Sequence, residues 1–440
     1  MASPLPSSSN PAEDPILPLT NNHRWAIVGL LFTASMINYF DRATLSFALP
    51  LISAEFKLDA GVQGILLSAF SWTYAIMQLP AGICADKSNL RTLYAVAFAM
   101  WSVAQGLMGL AQGLTTLIIF RMLLGIGESI YLPGGTKIVS RLFKSSERGL
   151  PCGIFDFGTR TGLVLEGLLM PWMLEKFGWR KTFVIVGFTG LLWLIPWLMV
   201  LPKSLKSAVA GDDSGKTGFF DLSSLKGAFV GYNLQTLLTA TGALARNRNL
   251  VGICIGYFCF DYYWFLLLSW LPSYLIKYRD MGMLKGGFSA ALPFLVFGLC
   301  QPIGGWLADW MIRRGGDEMR VRKGIIAFAF LTGLCLIPIT SVKSNNVALT
   351  LFLLGGLVGL STANMLVILQ ACAPMDKVGT WVGVYNFIGN IAGILAPIVT
   401  GKMVKSFDSF TVPFVAASLL LLVGIAAFYL VMGKVDRATS

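Results

Sequence analysis

The nonapeptide QLPAGICAD, residues 78–86, returns later in the chain as QPIGGWLAD, residues 301–309. Gln78 matches Gln301, Gly82 matches Gly305, Ala85 matches Ala308 and Asp86 matches Asp309, all at one offset. A second pair, GIFDFGTR (153–160) and GVYNFIGN (383–390), aligns at nearly the same offset and sets Asp156 against Asn386 and Arg160 against Asn390. Two matches at similar offsets mark a duplicated unit, and a duplication constrains the fold before any single element is assigned.

The surroundings of these repeats say what was duplicated. Of 440 residues, 55% are hydrophobic and 13% charged, with a mean hydropathy of +0.70; soluble chains carry roughly 25% charged residues. Apolar runs of about 20 residues, long enough to cross a bilayer, recur from Trp25 to Met432, and about twelve can be counted by that criterion. Their approximate limits are 25–51, 61–86, 91–112, 114–138, 149–173, 180–201, 250–276, 287–312, 323–341, 346–371, 379–402 and 411–432. A backbone in lipid must satisfy its hydrogen bonds internally, and runs of this length are far too long for barrel strands, so the spans are helices. The expected fold class is all-α: a polytopic membrane protein with 12 transmembrane helices in two pseudo-symmetric six-helix bundles.

The longest polar interruption, Pro202 to Asn249, divides the spans six and six. The expected organisation is a tail at 1–24, a first bundle at 25–201, a linker at 202–249, a second bundle at 250–433 and a short tail at 434–440. Phe219, Leu222, Leu225, Phe229 and Leu234 give part of the linker an amphipathic pattern, suited to a helix on the membrane surface or to an ordinary linker. The net charge of +12 would suggest nucleic acid in a soluble domain, but here the positive residues gather on every second connection. Lys87 and Arg91 follow the second span, Arg141, Lys144 and Arg148 the fourth, six Lys or Arg the sixth, and Arg313, Arg314, Arg320, Arg322 and Lys323 the eighth. The positive-inside rule puts those connections, and both termini, in the cytoplasm. Short loops and an N-terminal stretch unlike a cleavable signal point to a bacterial inner membrane.

Cys84, Cys152, Cys254, Cys259, Cys300, Cys335 and Cys372 all lie in apolar spans without metal-ligand spacing, and the one histidine, His23, is in the tail. No metal or cofactor is expected. A membrane-embedded enzyme would need a nucleophile with its base, or acids spaced for a metal, within the spans, and those groups are missing.

Charges inside the spans are therefore the features that call for a function. Asp41 and Arg42 sit side by side in INYFDRATLS (37–46), and Arg121 and Glu128 lie on the fourth span in FRMLLGIGE (120–128), two helical turns apart and so on one face. Burial disfavours an ionised carboxylate and a neighbouring guanidinium favours it. A carboxylate held between those pressures is switched by whether its arginine is otherwise occupied. Arginine also grips a carboxylate ligand through two parallel hydrogen bonds and does not deprotonate. The alternative is a static network of ion pairs.

The pattern resembles the major facilitator superfamily, whose cytoplasmic loop motif is similar to Gly82-x-x-x-Asp86-Lys87 and its repeat Gly305-x-x-x-Asp309 with Arg313 and Arg314. SNLR at 88–91 departs from the motif's usual ending. Within that superfamily, INYFDRATLS, FRMLLGIGE and NFIGNIAGILAPI (386–398) resemble the anion:cation symporters, among them hexuronate, galactonate and glucarate carriers, over residues 25 to 433. The resemblance implies proton-coupling roles for Asp41 and Glu128, a pairing role for Arg121 and substrate-carboxylate binding for Arg42. It places Tyr39 and Tyr74 on the cavity, where they contact ligand or pack between helices, and Asn386 and Asn390 on one face toward ligand hydroxyls or a neighbouring helix. The fifth span departs from the relatives with Asp156, Arg160 and Glu166. Asp156 and Arg160, four apart, form a self-neutralising pair, or else Arg160 is a second anchor for a ligand with two acidic ends. Gln78 and Gln301, repeated in both halves, read as structural, and Asp261 with Tyr262, Tyr263 and Trp264 has no assigned role.

Phosphate exchange is disfavoured because the position matching Arg42 in the second half is Phe265. Uniport and sodium coupling stay open. The expectation is a monomer that imports an organic anion, a hexuronate, aldonate or aldarate, with protons, by alternating access.

Overall fold

The computed structural model describes residues 19–143, 149–202, 247–373 and 378–433. Within the helices, the side chains of Leu79, Ile83, Asp86, Lys87, Gly149, Val378, Gly379, Thr380 and Gly383 lie outside the described set. The two tails apart from residues 19–24, and nearly all of the linker with its amphipathic stretch, lie outside the described residues.

Helices α1 (Asn21–Phe56), α2 (Ala60–Lys87) and α3 (Leu90–Met108) are followed by α4 (Leu114–Leu142), which turns once at Ser129 and Ile130. A continuous helical run from Gly149 is broken at Gly178, whose φ of 70° only glycine adopts without strain, and becomes α5 (149–177) and α6 (179–200). The second half comprises α7 (Arg248–Tyr278), α8 (Met283–Arg313), α9 (Glu318–Thr340), α10 (Asn345–Cys372), α11 (Val378–Phe407) and α12 (Thr411–Val431). Among the described residues there is no strand. Nine helical stretches are long and apolar enough to cross a membrane by length and composition. One of them is the pair α5 and α6 taken together, and α1 and α3 complete the twelve crossings in two six-helix halves.

Helix starts follow their caps. Thr20 accepts the backbone N–H of His23, so α1 begins four residues ahead of the apolar run that announces it. Asp59 caps α2, Asn89 caps α3, Asn247 caps α7 and Asp317 caps α9. Close helix approach depends on glycine in the first half. A Cβ on Gly158 would strike the Phe32 carbonyl and one on Gly162 the Met36 carbonyl, which presses α5 against α1.

The contacts joining the halves gather at one end of the molecule, the end that carries the connections at 57–59, 178 and 279–282. There α2 meets α11 so closely that a Cβ on Gly64 would overlap the Pro397 carbonyl and one on Gly401 the Ala60 carbonyl. Lys405 Nζ lies 3.0 Å from Asp59 Oδ2 across the same seam. On the next seam α5 meets α8, with Gly167 against Ala291 and Gly287 against Pro171. Ser273 on α7 donates to the Ser46 carbonyl on α1 at 3.3 Å. At the opposite end, the second copy of the repeat is tied within its own half. Arg322 reaches Asp309 at 3.0 Å, Glu318 at 3.3 Å and the Asn364 side-chain oxygen at 3.2 Å, while Asn364 donates to the Gly304 carbonyl. Gly305 has Ala363 3.4 Å from where its Cβ would stand, and Gly82 has open space there. The Asp86 side chain lies outside the described set.

Arg322→Ala leaves the buried Asn364 oxygen without its donor, and should cost about 1–3 kcal/mol, read as a lowered melting temperature in detergent. Asp309→Asn, whose partner keeps its other contacts, should cost less. At the closed end, Gly401→Leu should hold α2 and α11 apart: spin labels on the two helices should report a longer and broader separation than in the parent protein. The Val62 N–H and then the Lys405 ammonium hold the Asp59 carboxyl below the ordinary range. That contact is therefore complete above the usual carboxylate pKa and should be lost only as pH falls through the lowered one.

Candidate functional site

Where the halves meet at mid-depth, α1, α2 and α4 of the first half and α7 and α11 of the second enclose a cavity. Its lining includes Arg42, Ser46, Phe70, Ser71, Tyr74, Arg121, Phe265, Ser269 and Asn390. Arg42 is central. Its Nε donates to Glu128 Oε2 at 2.6 Å, and its guanidinium carbon lies 4.3 Å from the Tyr74 ring centroid, 4.8 Å from that of Phe70 and 4.9 Å from that of Tyr39. Three aromatic faces and one carboxylate hold the cation without hydration, a setting that suits arginine because its charge is delocalised and weakly hydrated. Arg42 Nη2 has no hydrogen-bond partner, so the fork retains a donor.

Glu128 is fully buried, and its second oxygen is unpartnered. Asp41, 1% exposed, points away from Arg42: neither of its oxygens is hydrogen-bonded, and its carbonyl accepts from Gln105 Nε2 at 3.2 Å. Arg121 does not close an ion pair with either acid. It donates from both terminal nitrogens to the Arg42 carbonyl at 3.4 Å and lies 5.4 Å from the Phe70 centroid, so it fixes the backbone that carries the Asp41–Arg42 dipeptide. Four adjacent charges thus divide into one direct pair and one looser set.

The remaining candidates separate. Tyr74 and Asn390 line the cavity, whereas Tyr39 supports Arg42 from beneath. The Asn390 amide donates to the Asn386 carbonyl at 2.9 Å, which leaves its side-chain oxygen for other partners, and Asn386 is not among the lining residues. Arg160 forms no ion pair with Asp156, which is exposed. It crosses to the other half, where Nε donates to Gln301 Oε1 at 2.8 Å and the guanidinium lies 5.6 Å from the Trp264 ring. Asp261 is bonded by Tyr257, itself stacked on Tyr385 at 3.5 Å, and a Cβ on Gly389 would strike its oxygen. No group of three or more His, Cys, Asp or Glu able to hold a metal occurs among the described residues.

Two features had no sequence signal strong enough to find them, and a third was found without its role. Phe70 lies one turn before Tyr74, with its ring stacked on that tyrosine at 5.1 Å, yet in an apolar helix it reads as packing. Ser71 and Ser269 are small and isolated. Glu166 could be flagged only as a buried charge, because its neighbours depend on how α5 meets α1.

The family profile of the Major Facilitator Superfamily matches residues 31–397. A probable galactarate/D-glucarate transporter of Bacillus subtilis (strain 168), GudP, is 30% identical over 430 residues, covering 94% of this chain and 93% of its own. The D-galactonate transporter of Escherichia coli O6:H1 is 29% identical over 421 residues (94% and 96%), and the hexuronate transporter of Bacillus subtilis (strain 168) is 26% identical over 415 (91% and 92%). Among solved structures, a bacterial homologue of the human lysosomal transporter Spinster, inward-facing and unoccupied, superposes with a TM-score of 0.76 at 18% identity, covering 94% of this chain and 98% of that one. The nucleoside transporter NupG superposes with a TM-score of 0.70 at 12% identity. With a duplicated twelve-helix fold, a cavity between the halves and a family match over most of its length, this chain is a membrane transporter rather than an enzyme, and it belongs to the Major Facilitator Superfamily.

Proposed function

We propose that the protein imports a sugar acid, a hexuronate, aldonate or aldarate, together with protons, by alternating access. The observation that carries this reading is the cavity-lining Arg42, paired with a fully buried Glu128. A carboxylate entering the cavity competes with Glu128 for the guanidinium. Once displaced, Glu128 has no second cation within hydrogen-bonding distance and, at zero exposure, no water to stabilise its charge. It takes up a proton, because an unpaired ion in that setting costs several kcal/mol. Proton and anion therefore favour each other's binding, as symport requires.

The rest of the cavity suits a polyhydroxylated ligand. Ser46, Ser71, Ser269 and Asn390 offer hydrogen bonds, and Tyr74, Phe70 and Phe265 present apolar surface to C–H groups. The curated relatives named for galactarate/D-glucarate, D-galactonate and hexuronate support the substrate class. The joined end of the halves supports an inward-facing state, with the basic connections and both termini in the cytoplasm of an inner-membrane monomer. In this reading the Asp59–Lys405 contact and the α2–α11 glycines seal the outer side, while the cytoplasmic repeats at Gly82–Asp86 and Gly305–Asp309 act when the inner side closes. Tyr39 acts by supporting Arg42, Arg160 by contact with ligand at the far side of the cavity when it leaves Gln301, and Asn386 by positioning Asn390.

Purified protein in liposomes should accumulate at least one labelled sugar acid from a panel of D-galactonate, D-glucarate and D-glucuronate when the proton gradient is inward, and accumulation should not depend on sodium. Glu128→Gln should weaken gradient-driven accumulation yet retain counterflow. Arg42→Lys, which keeps charge but loses the planar fork, should raise KM by at least about tenfold, the loss of one charge-assisted bidentate contact. Sodium-dependent accumulation, or a Glu128→Gln protein that accumulates normally, would contradict the proton assignment; no transport of any of the three would contradict the substrate class.

A further inference from the structure

Three buried carboxylates of the first half, Asp41, Glu128 and Glu166, lie within electrostatic reach of two guanidiniums, Arg42 and Arg121. Arg42 is engaged by Glu128. Glu166, on α5, is fully buried, and its position follows from the helix register. Gly158 lies against the Phe32 carbonyl and Gly162 against the Met36 carbonyl. Because α1 and α5 run in the same direction, one further turn brings Glu166 to the level of Phe40 and Asp41. None of the four oxygens of Asp41 and Glu166 has a hydrogen-bond partner in the structure, and Arg121 Nε is equally unpartnered. Arg121 is the cation within electrostatic reach of both acids, and it also faces Glu128, which in turn acts on Asp41. Of the other helices packed here, α8 presents Ala291 at Gly167, and α3 presents Gln105, whose amide donates to the Asp41 carbonyl.

One guanidinium can balance one carboxylate. A second negative charge on the same buried site would be uncompensated, at a cost of several kcal/mol. We propose that Glu166 completes the proton site expected at Asp41: the two acids hold one proton between them, apart from the Arg42–Glu128 pair. This inference rests on the proton-coupled reading above and deepens it. The shared proton keeps one acid neutral while the other faces Arg121, and opening of the α1–α5 seam to water lets the neutral acid ionise and release it. With Glu128, the protein then has two sites for transported protons, enough to neutralise a dianion. Aldarates, with a carboxylate at each end, are the sugar acids whose charge this matches.

Infrared spectroscopy of the purified protein reads the site without substrate. Near neutral pH the protonated-carboxyl C=O band should lose the intensity of one group in Glu166→Gln. Asp41→Asn should lose the same intensity, because in either variant the remaining acid ionises against Arg121. An unchanged band in both variants would overturn the shared proton, and the second variant decides the matter if the first does not fold. In liposomes, the proton-to-substrate ratio from reversal potentials should fall by about one in Glu166→Gln, with accumulation still driven by the gradient; an unchanged ratio would overturn the site's part in transport. Failure of the parent protein to move any sugar acid would overturn the substrate assignment instead, and the infrared result would still decide the proton site.

Discussion

The buried contact between Arg42 and Glu128 organises this protein. Neither partner is stable alone at that depth: a guanidinium among aromatic rings needs a counter-charge, and a carboxylate at zero exposure needs a cation. Much of the first half serves that pair. Tyr39, Phe70 and Tyr74 box the guanidinium, and Arg121 anchors the backbone beneath it. Glycines 125 and 127 let α4 lie against α2 and α3, so that Glu128 comes within reach. Such a pair adds little net stability to a protein core, but it is sensitive to any third charge that enters. A ligand carboxylate is such a charge.

The two halves divide the work unequally. The Arg42–Glu128 pair, Asp41 and Glu166 belong to the first half, while the second half buries Asp261 and contributes Phe265, Ser269 and Asn390 to the cavity and, at the position matching Arg42, an apolar ring. The duplication therefore keeps the architecture without a second arginine at the Arg42 position. The repeat at Gly305–Asp309 shows what the architecture needed: Asp309 and Arg322 tie α8 to α9, and Asn364 brings α10 into the same knot.

Much of this was legible in the sequence because the relevant signals are local or repeated. Apolar runs of membrane length gave the twelve helices, the two duplicated segments gave the halves, and charges within apolar runs gave Asp41, Arg42, Arg121 and Glu128. What was not legible depends on which helix faces meet. Residues four apart predict that Asp156 and Arg160 can pair, yet Arg160 satisfies its guanidinium on Gln301 of the opposite half. Arg121 lies within electrostatic reach of the acids, yet its hydrogen bonds go to the Arg42 carbonyl, a contact for which side-chain spacing carries no signal. Glu166 acquires neighbours only through the α1–α5 glycine register, which helical periodicity leaves undetermined. Helix caps shifted boundaries by a few residues, since Thr20 and Asp317 lie outside the apolar runs they extend.

The central claim is that a sugar acid and Glu128 compete for one arginine, so that the acid and a proton favour each other's binding. Calorimetric titration of the purified protein with D-galactonate and D-glucarate, repeated in buffers of different ionisation enthalpy, counts the protons exchanged on binding. The account predicts net proton uptake when ligand binds, reduced in Glu128→Gln. Binding heats that are the same in every buffer would mean that the anion takes Arg42 without disturbing Glu128, and would contradict it.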